Sequence, residues 1–362
     1  MVSKFHAADG LCIRANSVLK GLIERGHEVH AFTQSETVSG LPEDNIHRFP
    51  AVQLNPHFSI DSVSAVRMIA RECQKNQIDI LHVQMNSGST EFVLPFFKKS
   101  LPPLSVTYHL AYAQGGSAYT TIFGIAWKAS LFAAKRYDGV ILVDPSQKPY
   151  FLRYGIPEER ISVVRNGIEI NRFRPPTKKQ DDDIVDFVYV GRLSYDKGVH
   201  LLLRAFGDYH RENPSSRLTL IGDGMLKSQI GNAVDDDSIK WLGTLPHHKV
   251  PRILSQMDAF VIPQNIGGLG LSVMEAMSCG LPVITTAIGE TIHLLSENEG
   301  VLVKPDSKDA VLAGMRKLGN NPELRRLMGE NCRKKIEKDY SWTTQIASLE
   351  KSYERAITNP MN

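Results

Sequence analysis

The sequence predicts an α/β protein built as two doubly wound, Rossmann-like domains with parallel sheets. Three observations carry that expectation. Short apolar runs alternate with amphipathic stretches along nearly the whole chain, the pattern of parallel strands covered by helices on both faces. In the second half, Val185–Val190 runs into Gly191 and Ala259–Ile262 leads to Gly267, Gly268 and Gly270, and helical spacing follows each. Between the halves lies a polar stretch, Asn171–Asp183, with Pro175-Pro176 and Asp181-Asp182-Asp183 and few periodic apolar residues.

In order along the first half, strands are expected at Val29–Thr33, Ile78–Val83, Leu104–His109 and Val140–Val143. Helices are expected between them at Leu11–Arg25, Ile60–Lys75 and Tyr119–Arg136. Ser100 to Trp127 carries no Asp, Glu, Lys or Arg, yet Pro102-Pro103, Gly115-Gly116 and several Ser and Thr make it too polar to span a membrane. In the helix that follows, Phe123, Trp127, Leu131 and Phe132 fall near one side, which reads as buried packing ahead of docking on a bilayer. Pro95-Phe96-Phe97-Lys98-Lys99 gives a weaker signal of the same kind. The second half repeats the scheme, with strands at Val185–Val190, Leu218–Ile221, Ile239–Leu242, Ala259–Ile262 and Val283–Thr286. Helices are read at Val199–Phe206 and His248–Met257, and a last one at Thr343–Thr358. The domains so drawn are 1–168 and 184–341, joined by a linker over 169–183, with a terminal segment over 342–362.

Composition describes an ordinary globular protein. The 362 residues are 42% hydrophobic and 22% charged, with a formal net charge of +3. Residues 1–165 hold 17 Lys and Arg against 14 Asp and Glu, so the excess lies in the first half. It is too small for a nucleic-acid footprint. Cys12, Cys73, Cys279 and Cys332 show no paired spacing, which argues against a thiolate metal cluster and for a reducing compartment. The N-terminus lacks an apolar signal region. The expected location is therefore the cytoplasm, with peripheral contact at the inner face of the membrane through the first domain.

Chemistry concentrates in two loops. Gly191-Arg192-Leu193-Ser194-Tyr195-Asp196-Lys197-Gly198 turns from a strand into a helix, leaving backbone N–H groups open to an anion. Arg192 adds a planar fork and Lys197 a point charge, so a diphosphate is neutralised there with no metal. The segment from Pro263 through Gly267, Gly268, Leu269, Gly270 and Leu271 opens a second helix, whose positive end points at a ligand. Glu275 on that helix suits a pair of ribose hydroxyls. Cys279-Gly280-Leu281-Pro282 ends it. Asp181–Asp183 and Asp235–Asp237 sit in polar loops and read as solvated charge, not as metal ligands.

Together these residues resemble the retaining glycosyltransferases of the GT-B fold, family 4 (group 1). The likeness extends to Asp9-Gly10-Leu11, to Arg25-Gly26-His27-Glu28-Val29, to Val164-Arg165-Asn166-Gly167-Ile168-Glu169, to Ile221-Gly222-Asp223-Gly224 and to Leu242-Gly243. Each is weak alone; together and in this order they are specific. The resemblance implies two domains facing each other across a cleft, the last helix crossing back to the first domain, and a nucleoside-diphosphate sugar as donor. It implies that Arg192 and Lys197 hold the diphosphate and that Glu275 binds the ribose. Gly268–Leu271 contact phosphates and sugar, and Gly10 approaches from the first domain. His109 comes close to the transferred sugar, the alternative being a satisfied strand-end histidine. Asn166, Gly191, Gly222, Leu245 and Gly267 complete the implied donor site. No cofactor is implied; the acceptor is a saccharide, lipid or small metabolite.

The chain departs from the family pattern at four points. Gly267 stands where a first glutamate is usual, leaving Glu275 alone. His293 replaces a common glutamate, with Glu290 before it in place of glycine, and Leu110 follows His109 where aspartate is frequent. Met1-Val2-Ser3 begins inside the expected first strand, about four residues short of the family pattern. Three functions are compatible: a retaining transferase, a sugar-nucleotide-binding subunit with impaired chemistry, and an epimerase or phosphorylase on the same scaffold.

Overall fold

The structure, a computed structural model, describes residues 1–3, 10–36, 38–53, 59–85, 88–109, 127–177, 183–231, 238–265, 270–288 and 291–361. Asp9, Leu110, Phe123, Asp181, Asp182, Asp235–Asp237, Gly267, Gly268, Leu269 and Glu290 lie outside the described residues. The chain divides into two units, Met1–Gly167 with Trp342–Asn362, and Ile168–Ser341.

Unit 1 runs α1 (Gly10–Glu24), β1 (Ala31–Thr33), β2 (Ile46–Arg48), β3 (Ala51–Gln53), β4 (Ser59–Asp61), α2 (Val63–Lys75), β5 (Leu81–Gln84), α3 (Thr90–Val93) and β6 (Leu104–Tyr108). It continues with α4 (127–134), β7 (Gly139–Leu142), α5 (Lys148–Arg153) and β8 (Ile161–Val163). Strands β5, β6, β7 and β8 form a parallel sheet. Val2 bridges Phe32 of β1 and Val83 of β5 in parallel, so it joins the β1–β2 pair to that sheet. Leu81, Val83, Leu104, Val106, Val140 and Leu142 are buried in one core with Ile69 of α2 and Leu131 of α4.

Several expected boundaries shift, each for a local reason. Ile60 belongs to β4, which pairs antiparallel with β3, and not to the following helix. That helix starts at Val63 because the Ser62 side chain accepts from Ser64 N and caps it. Ile78 is not yet strand: its N–H donates to Cys73 O, finishing α2, after Gln77 turns left-handed at φ 50°. The expected apolar side of α4 divides. Trp127 and Leu131 are buried, but Phe132 is 54% exposed.

Unit 2 runs β9 (Val185–Val190), α6 (Val199–Glu212), β10 (Ser216–Ile221), α7 (Lys227–Gly231), β11 (Ile239–Trp241), α8 (Val250–Leu254), β12 (Ala259–Ile262) and α9 (Leu271–Ser278). It ends with β13 (Val283–Thr286), α10 (Thr291–Leu294), β14 (Gly300–Val303), α11 (Lys308–Gly319) and α12 (Pro322–Asp339). All six strands are parallel, in the order β11-β10-β9-β12-β13-β14. The helix expected over 248–257 is shorter, because His247–Lys249 forms a tighter turn closed by Lys249 N to Pro246 O. Residues 168–173 pack with unit 2: Ile168 N donates to Tyr340 O, and Phe173 is buried in its core.

The final helix, α13 (Trp342–Thr358), belongs to unit 1. Ile346 and Leu349 are buried against Val18, Leu19 and Leu22 of α1. Tyr353 OH bonds His82 Nδ1 in β5. All four cysteines are buried thiols outside any disulfide. No helix among the described residues is long and apolar enough to cross a membrane.

Candidate active site

In an open parallel sheet, ligands bind at the carboxyl ends of the strands where the connections leave in opposite directions. In unit 2 that point lies between β9 and β12, since the chain goes from β9 outward to β10 and from β12 outward to β13. Bare backbone floors it. Gly191 N donates to Ile221 O and Gly222 N to Gly243 O. A Cβ on Gly222, at φ 133°, would stand 1.9 Å from Gly191 O. A side chain is thus excluded at Gly222 by contact of main chain on main chain. A cavity of about 1210 Å³ lies at the opposite, amino ends, around Val185, Asp258 and Pro282. Its arginines are already committed, Arg217 to Asp186, Arg325 to Asp258, Arg326 to Glu330 and Arg333 to Glu337.

The two sequence-predicted cations sit on the loop after β9 and are held differently. Arg192 is 67% exposed at its side chain, and its NH2 donates to Asp196 Oδ2 at 2.9 Å. Lys197 is half-buried, and its Nζ donates to Gln264 Oε1 at 2.9 Å. Gln264 is fully buried after β12, so this bond spans the strand crossover. Asn265 N donates to Asp196 O at 2.8 Å, tying the same two loops by main chain. Burial lowers the Lys197 ammonium below its ordinary value, with Asp196 opposing and Arg192 adding to the fall. Burial pulls the Asp196 carboxyl up, but Ser194, Arg192 and Lys197 outweigh it and hold it below its ordinary value. Gly198 follows at φ 69°, where a Cβ would meet Pro263 O at 1.9 Å. Only glycine lets the loop close here.

Helix α9 begins after Gly270 with no side-chain cap; Val273 N closes back on Gly270 O, and the N–H groups of Leu271 and Ser272 have no main-chain partner among the described residues, which suits an anion. Leu271 anchors this turn against the core, as Leu245 does after β11. Glu275, one turn in, is buried, and its Oε1 accepts from His247 Nε2 at 2.6 Å. His247 Nδ1 faces Arg172 NH2 at 3.2 Å. His293 is exposed on α10, away from these bonds.

In unit 1, Gly10 opens α1. Asn166 Oδ1 accepts from Arg14 NH1 at 3.1 Å, and Arg14 also donates to the main-chain oxygens of Arg165 and Val164. Arg14 is fully buried, and burial lowers its guanidinium to about 10. His109 follows β6 directly, and its Nε2 bonds Gln84 Oε1, which neighbours His82 and Thr107 across the sheet. Sequence reading brought Arg192, Lys197 and Glu275 to one sheet end. It gave no role to Gln264, Arg14 or His247, whose partners lie 67, 152 and 28 residues away. Such pairings leave no local pattern.

Two family descriptions match the chain, one on each half. Residues 169–335 match the family described as Glycosyl transferases group 1, and residues 9–172 match Glycosyltransferase Family 4. An uncharacterized glycosyltransferase of Methanocaldococcus jannaschii is 24% identical over 366 residues, covering 92% of this chain and 91% of that one. A glycogen synthase of Mycobacterium tuberculosis is 26% identical over 198 residues, 53% of this chain and 48% of that protein, so the match spans about half its length. Anabaena HepE, solved in complex with UDP, is similar in structure at a TM-score of 0.73 and 17% identity, covering 98% of both chains. With its paired parallel-sheet units, the chain has the GT-B fold and belongs to the group 1 glycosyltransferases.

Proposed function

We propose that this enzyme transfers a hexose-type sugar from a nucleoside diphosphate to an acceptor hydroxyl with retained configuration and without a metal. The observation that carries this reading is the pair of loops at the β9–β12 crossover: Lys197 pinned by Gln264, Arg192 beside it, and the uncapped start of α9. Cleavage of the bond from anomeric carbon to phosphate sends the electron pair to the diphosphate. Positive charge develops on the sugar ring. Fixed cations and a helix N-terminus stabilise the first of these as it forms, which is where electrostatic catalysis acts. The acceptor enters on the face the diphosphate leaves, and a phosphate oxygen takes its proton. His109 is assigned to the transferred sugar and Glu275 to the ribose. UDP is the first donor nucleotide to test, because HepE was solved with it.

Incubation with radiolabelled UDP-, GDP- and ADP-sugars, with and without chelator, tests the reading. Transfer or hydrolysis that survives chelation supports it. A metal requirement, or a free epimer or sugar phosphate as product, contradicts it. Gly267 favours one rival reading, a sugar-nucleotide-binding subunit, which predicts tight donor binding with no turnover.

We also propose peripheral contact with an anionic membrane surface. Phe96 and Phe132 are each 54% exposed, and the Arg136 guanidinium lies 4.6 and 4.5 Å from their ring centroids. Lys99, Lys128 and Lys135 are on the same short segments. Sedimentation with anionic but not zwitterionic vesicles, lost in Phe96→Ser/Phe132→Ser, is the expected result; equal pelleting with both vesicle types contradicts it.

A further inference from the structure

Glu275 is the one acidic side chain assigned to the nucleotide, and in this structure it is already engaged. Its Oε1 accepts a 2.6 Å bond from His247 Nε2, on the turn between β11 and α8. Arg172 fixes which nitrogen of His247 carries the proton. A guanidinium only donates, so Nδ1, 3.2 Å from Arg172 NH2, must accept, and the proton resides on Nε2, pointing at Glu275. Arg172 is held in turn by Glu169 Oε2 at 3.0 Å and lies over the Phe173 ring, 5.5 Å from its centroid. Phe173 is buried and stands 5.4 Å from the imidazole. The relay therefore runs from the segment 169–173 through His247 into α9, all within unit 2.

We propose that His247 is a positioning residue for the donor's ribose. It rests on the reading that Glu275 takes the ribose hydroxyls, and it adds the group that sets that carboxylate. A glutamate has three rotatable bonds, and ordering them on binding costs affinity. His247 orders them beforehand. A single imidazole N–H occupies one lone pair of Oε1. The second lone pair of Oε1, and Oε2, which has no partner among the described residues, remain for two vicinal hydroxyls. His247 does not touch the reacting atoms, so its effect is on donor affinity and not on the chemical step.

The test is calorimetric binding of UDP, GDP and ADP, each beside its 2′-deoxy counterpart, to wild type, His247→Ala, His247→Gln and Glu275→Ala. Melting curves check that each variant is folded. Wild type is expected to prefer the ribose form of the nucleotide it binds. His247→Ala is expected to lose about tenfold in affinity for that form, the order of one hydrogen bond to a charged group, and little for the deoxy form. His247→Gln, whose amide N–H can reach Glu275, should recover part of the loss. In turnover, KM for donor rises while kcat holds. If His247→Ala keeps the wild-type ribose preference while Glu275→Ala loses it, the positioning role is wrong and the ribose reading stands. If Glu275→Ala keeps the preference, or wild type shows none for any of the three, the ribose reading itself falls.

Discussion

Arg192 and Lys197 carry the same charge but stand in different solvents. Arg192 is mostly exposed and paired with Asp196, and such a surface pair is worth little. Lys197 is half-buried on Gln264, and its lowered pKa marks a charge made costly by lost hydration. A diphosphate restores what burial removed, so Lys197 should bind it in proportion. The free enzyme then loses this proton at lower pH than an ordinary lysine does. We expect kcat/KM for donor to fall on the alkaline side below the ordinary lysine value of 10.5. Lys197→Arg should remove that limb, because a guanidinium keeps its proton. An identical alkaline limb in the arginine variant would assign it to another group. Gly267→Glu should change the ranking of donor sugars, read by competition among a donor panel; an unaltered ranking removes that position from specificity. At this scale the sequence was informative where chemistry is local, as in the Gly191–Gly198 loop. It was silent on Gln264 and His247 because a polar residue's partner across a sheet is set by packing, not by spacing.

Elements explain why that loop holds its shape. Gly198 needs both a left-handed φ and the absence of a Cβ, since Pro263 O would be 1.9 Å away. Gly198→Ala should destabilise by at least about 1–2 kcal/mol from the backbone conformation alone, and it should weaken diphosphate binding as Lys197 shifts. Gly207, mid-helix in α6, has open space where a methyl group would stand, with nothing within 4 Å. Gly207→Ala should instead stabilise by about 0.5–1 kcal/mol. Urea denaturation of the pair separates the two effects, and equal midpoints would contradict the account. The strands β9, β12 and β13 have the bounds read from their apolar runs, because buried parallel strands are apolar over most of their length. The pair β3–β4 and the edge strands β8 and β14 were not legible. Each is three or four residues long, is not buried over its whole length, and is stabilised mainly by its neighbour.

Over the whole molecule, the return of α13 to unit 1 places a buried imidazole at a junction. His82 bonds Tyr353 of α13 and Thr107 of β6. Burial first, then the N-terminal amine, Arg14 and His109 nearby, push it well below its ordinary value of 6.5. The unfolded chain therefore binds a proton near that pH which the folded chain refuses. Stability is full above it and falls as pH drops, by about 1.4 kcal/mol per pH unit for one such proton. Glu299 and Glu350, both held below their ordinary value of 4.5, extend the loss to lower pH. Denaturation midpoints between pH 7.5 and 5 should show this slope, to which the buried N-terminal amine, lowered to about 5, adds, and His82→Gln should reduce it; a pH-independent wild type would contradict it. The central claim is narrower: two fixed cations at the β9–β12 crossover absorb the charge of a departing diphosphate. Its most direct measurement is the single-turnover rate of sugar transfer or hydrolysis from a saturating donor in Lys197→Ala and Arg192→Ala. The account predicts losses of about a hundredfold or more, the scale of a lost oxyanion donor, with Lys197→Ala the slower of the two. Near-normal rates in both variants would contradict it.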